Sequence, residues 1–227
     1  MNKIELDRAL SILATMAAAI VIAMIAGILA TRISQDFFQS ARSAAELTAR
    51  ITTDPGSSFG LRLNLGLDNL FVLVYGAFFV LLAMRFRSSM DPWMSAVALG
   101  AMLLTVFLDM IENHHIAMML HSIEHMLPLS VEESRIQMMA SGVKFHSSYV
   151  AVFLFAFGFC KQGKLGRWIA RIIWVGYLPL GILMSVAPVE LTKPLAFARV
   201  TFFVLVFMLS AALFSQSRKQ QLNGDEK

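Results

Sequence analysis

The segment DMIENHHIAMMLHSIEHM, residues 109–126, places four of the chain's five histidines, four methionines and three acidic side chains within eighteen residues. Imidazole and thioether groups ligate transition metals, whereas carboxylates bind cations or exchange protons. On a helix turning about 100° per residue, Met110, His114, Met118, His121 and His125 share one stripe, and Thr105, Asp109, Glu112 and Met119 share roughly the opposite one. The segment therefore carries two constellations, each with its own chemistry.

The acidic stripe has candidate partners in other apolar runs. Asp68 lies about one turn inside the second run, Lys144 and His146 lie near the start of the fourth, and Arg199 lies about one turn inside the sixth. Ionisable groups are costly in lipid, turn inward, and mark ion paths, substrate sites or internal pairs. With Tyr75 and Asn113 as hydrogen-bonding neighbours, Asp68, Asp109, Glu112, Asn113, Lys144 and Arg199 form the expected ligand- or proton-binding set. Three acids face two bases, so one carboxyl is left to hold a proton or a cationic ligand. The competing reading is a set of closed salt bridges that only fixes helix register.

The other stripe suits a metal. His121 and His125, at i and i+4, can chelate one ion, with His114 and His146 as further candidate ligands and copper or zinc as the candidate metal. HSIEH also fits the H-x-x-E-H pattern, which makes a membrane-embedded metal-dependent hydrolase the enzymatic alternative, with Glu112 or Glu124 activating water. Against it, no third protein ligand is marked by spacing and no nucleophile motif is present. Methionine as apolar filling and histidine at a polar interface account for the same residues without a metal. The expectation is a protein without a cofactor.

The elements that must position these residues follow from composition. At 57% hydrophobic and 15% charged over 227 residues, the chain is far more apolar than a soluble domain, where charged residues approach a quarter. Six apolar runs, about 9–30, 63–84, 93–113, 141–160, 168–187 and 195–215, each reach the length of a membrane span. They predict an all-α polytopic membrane protein, a single integral membrane domain over 1–227 built as a six-helix bundle. The first run is too long for a signal peptide and lacks a small-x-small cleavage site. Between the first two spans, Ser34 can cap an amphipathic helix over about 35–51, lying along the outer membrane surface or covering the bundle. No proline or glycine interrupts the third helix between Ala101 and Pro128, and a helix of that length reaches about 50 Å, beyond a hydrocarbon core of about 30 Å. An outer helical hairpin over about 114–140 should therefore protrude, its return helix capped by Ser130 and Glu133.

Six spans put both termini on one side, with Lys3, Arg8, Arg85, Arg87, Lys161, Lys164, Arg167, Arg171, Arg218, Lys219 and Lys227, against Arg32, Arg42, Arg50, Arg62, Arg135 and Lys193 on the other. The positive-inside rule then makes both termini cytoplasmic, in a bacterial inner membrane. The basic residues flank spans instead of forming a basic helix, which argues against a nucleic-acid partner despite the pI of about 9.5. A single cysteine, Cys160, excludes an intrachain disulfide and a CxxC redox pair. The expected function is non-enzymatic binding or transport of a small solute or proton, with the lipid bilayer and a small-molecule or ion ligand as partners. A structural or assembly protein, using the hairpin and loop helix as its partner surface, is the further alternative.

Overall fold

The computed structural model describes residues 2–31, 48–49, 51–52, 56–129 and 131–224. These form α1 (Lys3–Thr31), α2 (Gly56–Phe86), α3 (Pro92–Glu124), α4 (Val131–Cys160), α5 (Gly163–Arg171), a π-helical segment (Ile172–Tyr177), α6 (Leu178–Val186) and α7 (Val189–Gly224), with no strand among the described residues. Six stretches are long and apolar enough to cross a membrane: Lys3–Thr31, Ser58–Phe86, Pro92–Glu124, Arg135–Cys160, Gly163–Met184 and Pro194–Asn223. Each encloses or overlaps one of the six apolar runs and extends it by polar turns, because backbone hydrogen bonding continues past the point where hydropathy falls. The loop helix expected over about 35–51 and the Ser34 cap lie outside the described residues, apart from helical residues at 48–49 and 51–52. The Ser130–Glu133 capping box likewise lies outside the described groups.

Two irregularities have local causes. The fifth of these stretches widens into a π turn at Ile172–Tyr177 just before Pro179, whose ring has no N–H to offer the carbonyl four residues back. Helix α3 ends at Glu124, short of Pro128, through a left-handed residue, Met126 (φ 54°). Leu127 N donates to Ser122 O at 2.8 Å, the six-to-one bond of a Schellman turn, and this satisfies a terminal carbonyl that would otherwise be orphaned.

The chain divides into two compact units. Unit 1 comprises Met1–Ala19, Val74–Leu103 and Ser147–Lys227, and unit 2 comprises Ile20–Leu73 and Leu104–His146, so α1 to α4 each contribute a length to both. The core of unit 1 is aromatic: Phe78, Phe86, Phe155, Phe159 and Phe214 are fully buried, with Phe86 edge-on to Phe159 at 5.1 Å and Phe78 edge-on to Phe207 at 5.4 Å. Gly158 lets α4 approach that layer, since a Cβ there would collide with Phe86 and Met90. In unit 1, Asp7 of α1 is wholly buried; its Oδ1 accepts from Arg85 Nε at 2.6 Å, and its Oδ2 accepts from Ser217 Oγ at 2.7 Å and Gln221 Nε2 at 2.9 Å. This clamp joins α1, α2 and α7.

Unit 2 has an aliphatic core. Leu61 and Leu65 of α2 pack with Ile116, Met119, Leu120 and Ile123 of α3, together with Ile51 from the segment before α2 and Leu129 beyond α3. Helices α1 and α2 close on each other near Thr31 and Gly60, where a side chain in place of the glycine would strike the threonine.

Candidate functional site

The polar centre of unit 2 is assembled from three helices. Thr105, Asp109, Glu112 and Asn113 are buried on one face of α3, whereas Met110, His114, Met118 and His121 on the other face are exposed. That division follows from the 3.6-residue period. On α4, Gln137, Ser141 and Lys144 recur at i, i+4 and i+7, so they share one face, and all three are buried. From α2 come Asp68, half-buried, and Asn69.

Lys144 is the hub. Its Nζ donates to Asp109 Oδ1 at 2.7 Å and also pairs with Glu112 Oε2. Gln137 Nε2 donates to Glu112 Oε1 at 3.5 Å and to Ser141 Oγ at 3.4 Å. The carboxylate fixes the amide's orientation, because turning the amide over would set oxygen against oxygen. Gln137 Oε1 is consequently left without a hydrogen-bond partner among the described residues, on a side chain with 0% exposure. On the α2 side, Asn113 Nδ2 donates to Asn69 Oδ1 at 3.2 Å, and Asn113 is also hydrogen-bonded to Asp68. Asp68 lies within the electrostatic reach of Asp109, Lys144 and Glu112. Asn64, one turn before Asp68 on α2, is buried with neither amide atom satisfied among the described residues.

The aliphatic layer of unit 2 lies between this centre and the C-terminal end of α3, where Glu124 pairs with Arg62 and accepts from Ser58. The expected ligand set is thus brought together in part. Asp68, Asp109, Glu112, Asn113 and Lys144 share unit 2, whereas Arg199 belongs to unit 1, where it is buried and its charge acts on the Tyr177 hydroxyl. Tyr75 is also in unit 1, edge-on to Phe79 at 6.5 Å. Gln137, Ser141 and Asn69 are components the sequence reading missed. The i, i+4, i+7 spacing of Gln137 and Ser141 with Lys144 was the available signal.

The histidines are arranged otherwise. The His121 and His125 rings stack with centroids 4.0 Å apart, and His125 Nδ1 is 2.9 Å from His121 O. His114 is exposed next to His115, with the two ring centroids 6.3 Å apart, and His146 Nδ1 lies 2.8 Å from Gly142 O. No group of three or more metal-ligating side chains converges among the described residues. Glu124, the acid of the H-x-x-E-H pattern, is engaged by Arg62 and Ser58, and Glu112 by Lys144 and Gln137.

Chemically, the polar centre combines the carboxylates of Asp68, Asp109 and Glu112 with the ammonium of Lys144 and several amide and hydroxyl groups, so acids outnumber the base among these residues. No protein-family model, no curated protein and no solved structure matches the chain.

Proposed function

We propose that the chain is a multispan protein of a bacterial inner membrane, with cytoplasmic termini, whose unit 2 polar centre binds a proton or small cationic solute and passes it across the bilayer. The observation that carries this reading is the gathering of Asp68, Asp109 and Glu112 around the single ammonium of Lys144, on helices otherwise apolar enough to span a membrane. Ionisable groups on membrane-spanning helices face inward, pair with one another and mark ion paths and substrate sites, so a functional site is the default hypothesis for them. Half-buried Asp68 is the acid through which charge enters, and Asn113 holds it in place.

A test is reconstitution into liposomes carrying pH- and cation-sensitive dyes, with an imposed proton or cation gradient. Vesicles with the native protein should dissipate the gradient, and vesicles with Asp68→Asn should hold it. Native vesicles as tight as empty ones would contradict transport.

The pairing of Lys144 with both Asp109 and Glu112 favours a second reading, a structural or assembly protein in which the ions merely staple α3 to α4. In that case Asp109, Glu112 and Lys144 variants lose folded yield, and no substitution removes a cation- or proton-dependent signal from a folded protein.

A further inference from the structure

We propose that the exposed face of α5 is a binding site for an anionic phospholipid, whose headgroup phosphate is taken by Lys164, Arg167 and Arg171 and whose acyl chain lies along Val175, Ile182 and Val186. The inference rests on the membrane-spanning part of the reading above and is independent of any ion passage.

Local packing fixes this face. Gly163, in the left-handed region at φ 76°, turns the chain back after α4, and Gly166 sets α5 tight against it, since a Cβ there would strike the Phe159 carbonyl. Gly166, Ile169 and Ala170 are buried, so the 3.6-residue period turns Lys164, Arg167, Trp168 and Arg171 away from the core, and all four are exposed. None of the three bases is in an ion pair among the described residues, and no acidic residue occurs in the sequence between Glu133 and Glu190. The Arg171 guanidinium carbon lies 5.4 Å from the centroid of the Trp168 ring, an aromatic partner that leaves the N–H groups for an anion.

Three features point to a lipid instead of a soluble anion. First, α5 opens the fifth membrane-length stretch, Gly163–Met184, so its bases stand at the end of a span, at the level of headgroups. Trp168 shares that level, and indole is a side chain that settles at the membrane boundary. Second, the exposed positions beyond the bases are apolar and recur every three or four residues: Val175, Pro179, Ile182 and Val186 follow Arg171. Cationic charge thus leads directly into a hydrocarbon track, the pattern of an amphiphile. Third, this end of unit 1 also holds the Asp7 clamp, because Phe159, at the foot of α5, packs on Phe86, next to Arg85. With cytoplasmic termini, that end faces the leaflet whose surface potential is negative, and basic groups there attract anionic headgroups.

The test titrates purified full-length protein in detergent with dioleoyl phosphatidylglycerol, following bound lipid by native mass spectrometry and stability by Tm. Dioleoyl phosphatidylcholine and inorganic phosphate are the comparison ligands. One phosphatidylglycerol should bind in preference to phosphatidylcholine and raise Tm, because a ligand that binds only the folded state stabilises it. Each base removed near an anionic headgroup should weaken that binding about fivefold, so Lys164→Gln and Arg171→Gln together should weaken it about 25-fold. Arg87→Gln, which removes an exposed base just past α2, should leave it unchanged, and Lys164→Arg with Arg171→Lys should retain it. These side chains are all exposed, so the variants should fold as the native protein does. Equal affinity for the two lipids overturns the proposal, as does a loss in Arg87→Gln as large as in the α5 double variant, which would make the effect one of diffuse charge. A Tm rise from inorganic phosphate equal to that from phosphatidylglycerol overturns a lipid as the ligand. Native protein that fails to co-float with liposomes overturns the membrane reading and this inference with it, whereas protein that co-floats without a preference for phosphatidylglycerol overturns this inference alone.

Discussion

Unit 1 buries Asp7 against Arg85 and fills both carboxylate oxygens, one from the guanidinium and the other from Ser217 and Gln221. Unit 2 buries Asp109 and Glu112 against a single Lys144, adds half-buried Asp68 within electrostatic reach, and leaves Gln137 Oε1 without a partner among the described residues. Both sites remove charge from solvent, which is tolerable only when geometry and hydrogen bonding compensate. In the clamp, one acid meets one base and each acceptor has its donor, so additional positive charge would be repelled. In the polar centre, acid exceeds base and an acceptor remains, which is the feature the cation-binding proposal rests on. The difference separates a charge pair whose acceptors are all filled from one in which acids outnumber the base and an acceptor is left over.

The largest expected effects come from breaking each buried pair. Asp7→Ala leaves Arg85 uncompensated and should cost on the order of 3 to 5 kcal/mol, with the loss the same in sodium and choline salts. Lys144→Met strands two carboxylates and should cost a similar amount in choline chloride, but part of the loss should return in sodium chloride. Thermal unfolding of both variants in the two salts checks the contrast, and equal recovery in both would erase it. Asp68→Asn is a smaller change, because the amide is isosteric and Asn113 can still bond to it; about 1 kcal/mol or less is expected, together with loss of gradient dissipation in liposomes. Breaking the exposed Arg62–Glu124 pair with Arg62→Gln should cost no more than about 1 kcal/mol, and less in high salt, as double-mutant cycles with Glu124→Gln would measure. Smallest of all, the double change of His121 and His125 to alanine should stay within about 0.5 kcal/mol in metal-free protein, since both side chains are exposed. A larger loss there than for Lys144→Met would mean that the helix faces are assigned the wrong way round.

The helices and the split of α3 into an acidic and a histidine–methionine face were legible because apolar run length and a 3.6-residue period are local properties of the chain. The convergence of Asp68, Asp109, Glu112 and Lys144 was legible as a similarity of depth. Which base pairs with Asp109 and Glu112 was not, since depth carries no information on helix neighbours; Lys144 does so from α4. The Asp7–Arg85 clamp was hidden for a related reason. Both residues sit at the ends of apolar runs, where a charge reads as an ordinary flank, and only the pairing of α1 with α2 makes them partners. Gln137 and Ser141 were overlooked because the sequence search favoured ionisable groups, whereas neutral amides and hydroxyls complete a buried ionic site just as necessarily. The stop of α3 at Glu124, before Pro128, came from a left-handed methionine at a position where glycine is the usual signal.

The most direct measurement is the infrared difference spectrum of the carboxyl C=O stretch, recorded for protein in lipid as the buffer is switched between acid and alkaline pH and between sodium and choline. A protonated buried carboxyl gives a band that is resolved from the ionised form, so the spectrum reports which acids change state. The account predicts a difference band that persists in Asp7→Asn and is lost or shifted in Asp68→Asn or Glu112→Gln. A band that disappears in Asp7→Asn and survives both unit 2 substitutions would contradict it.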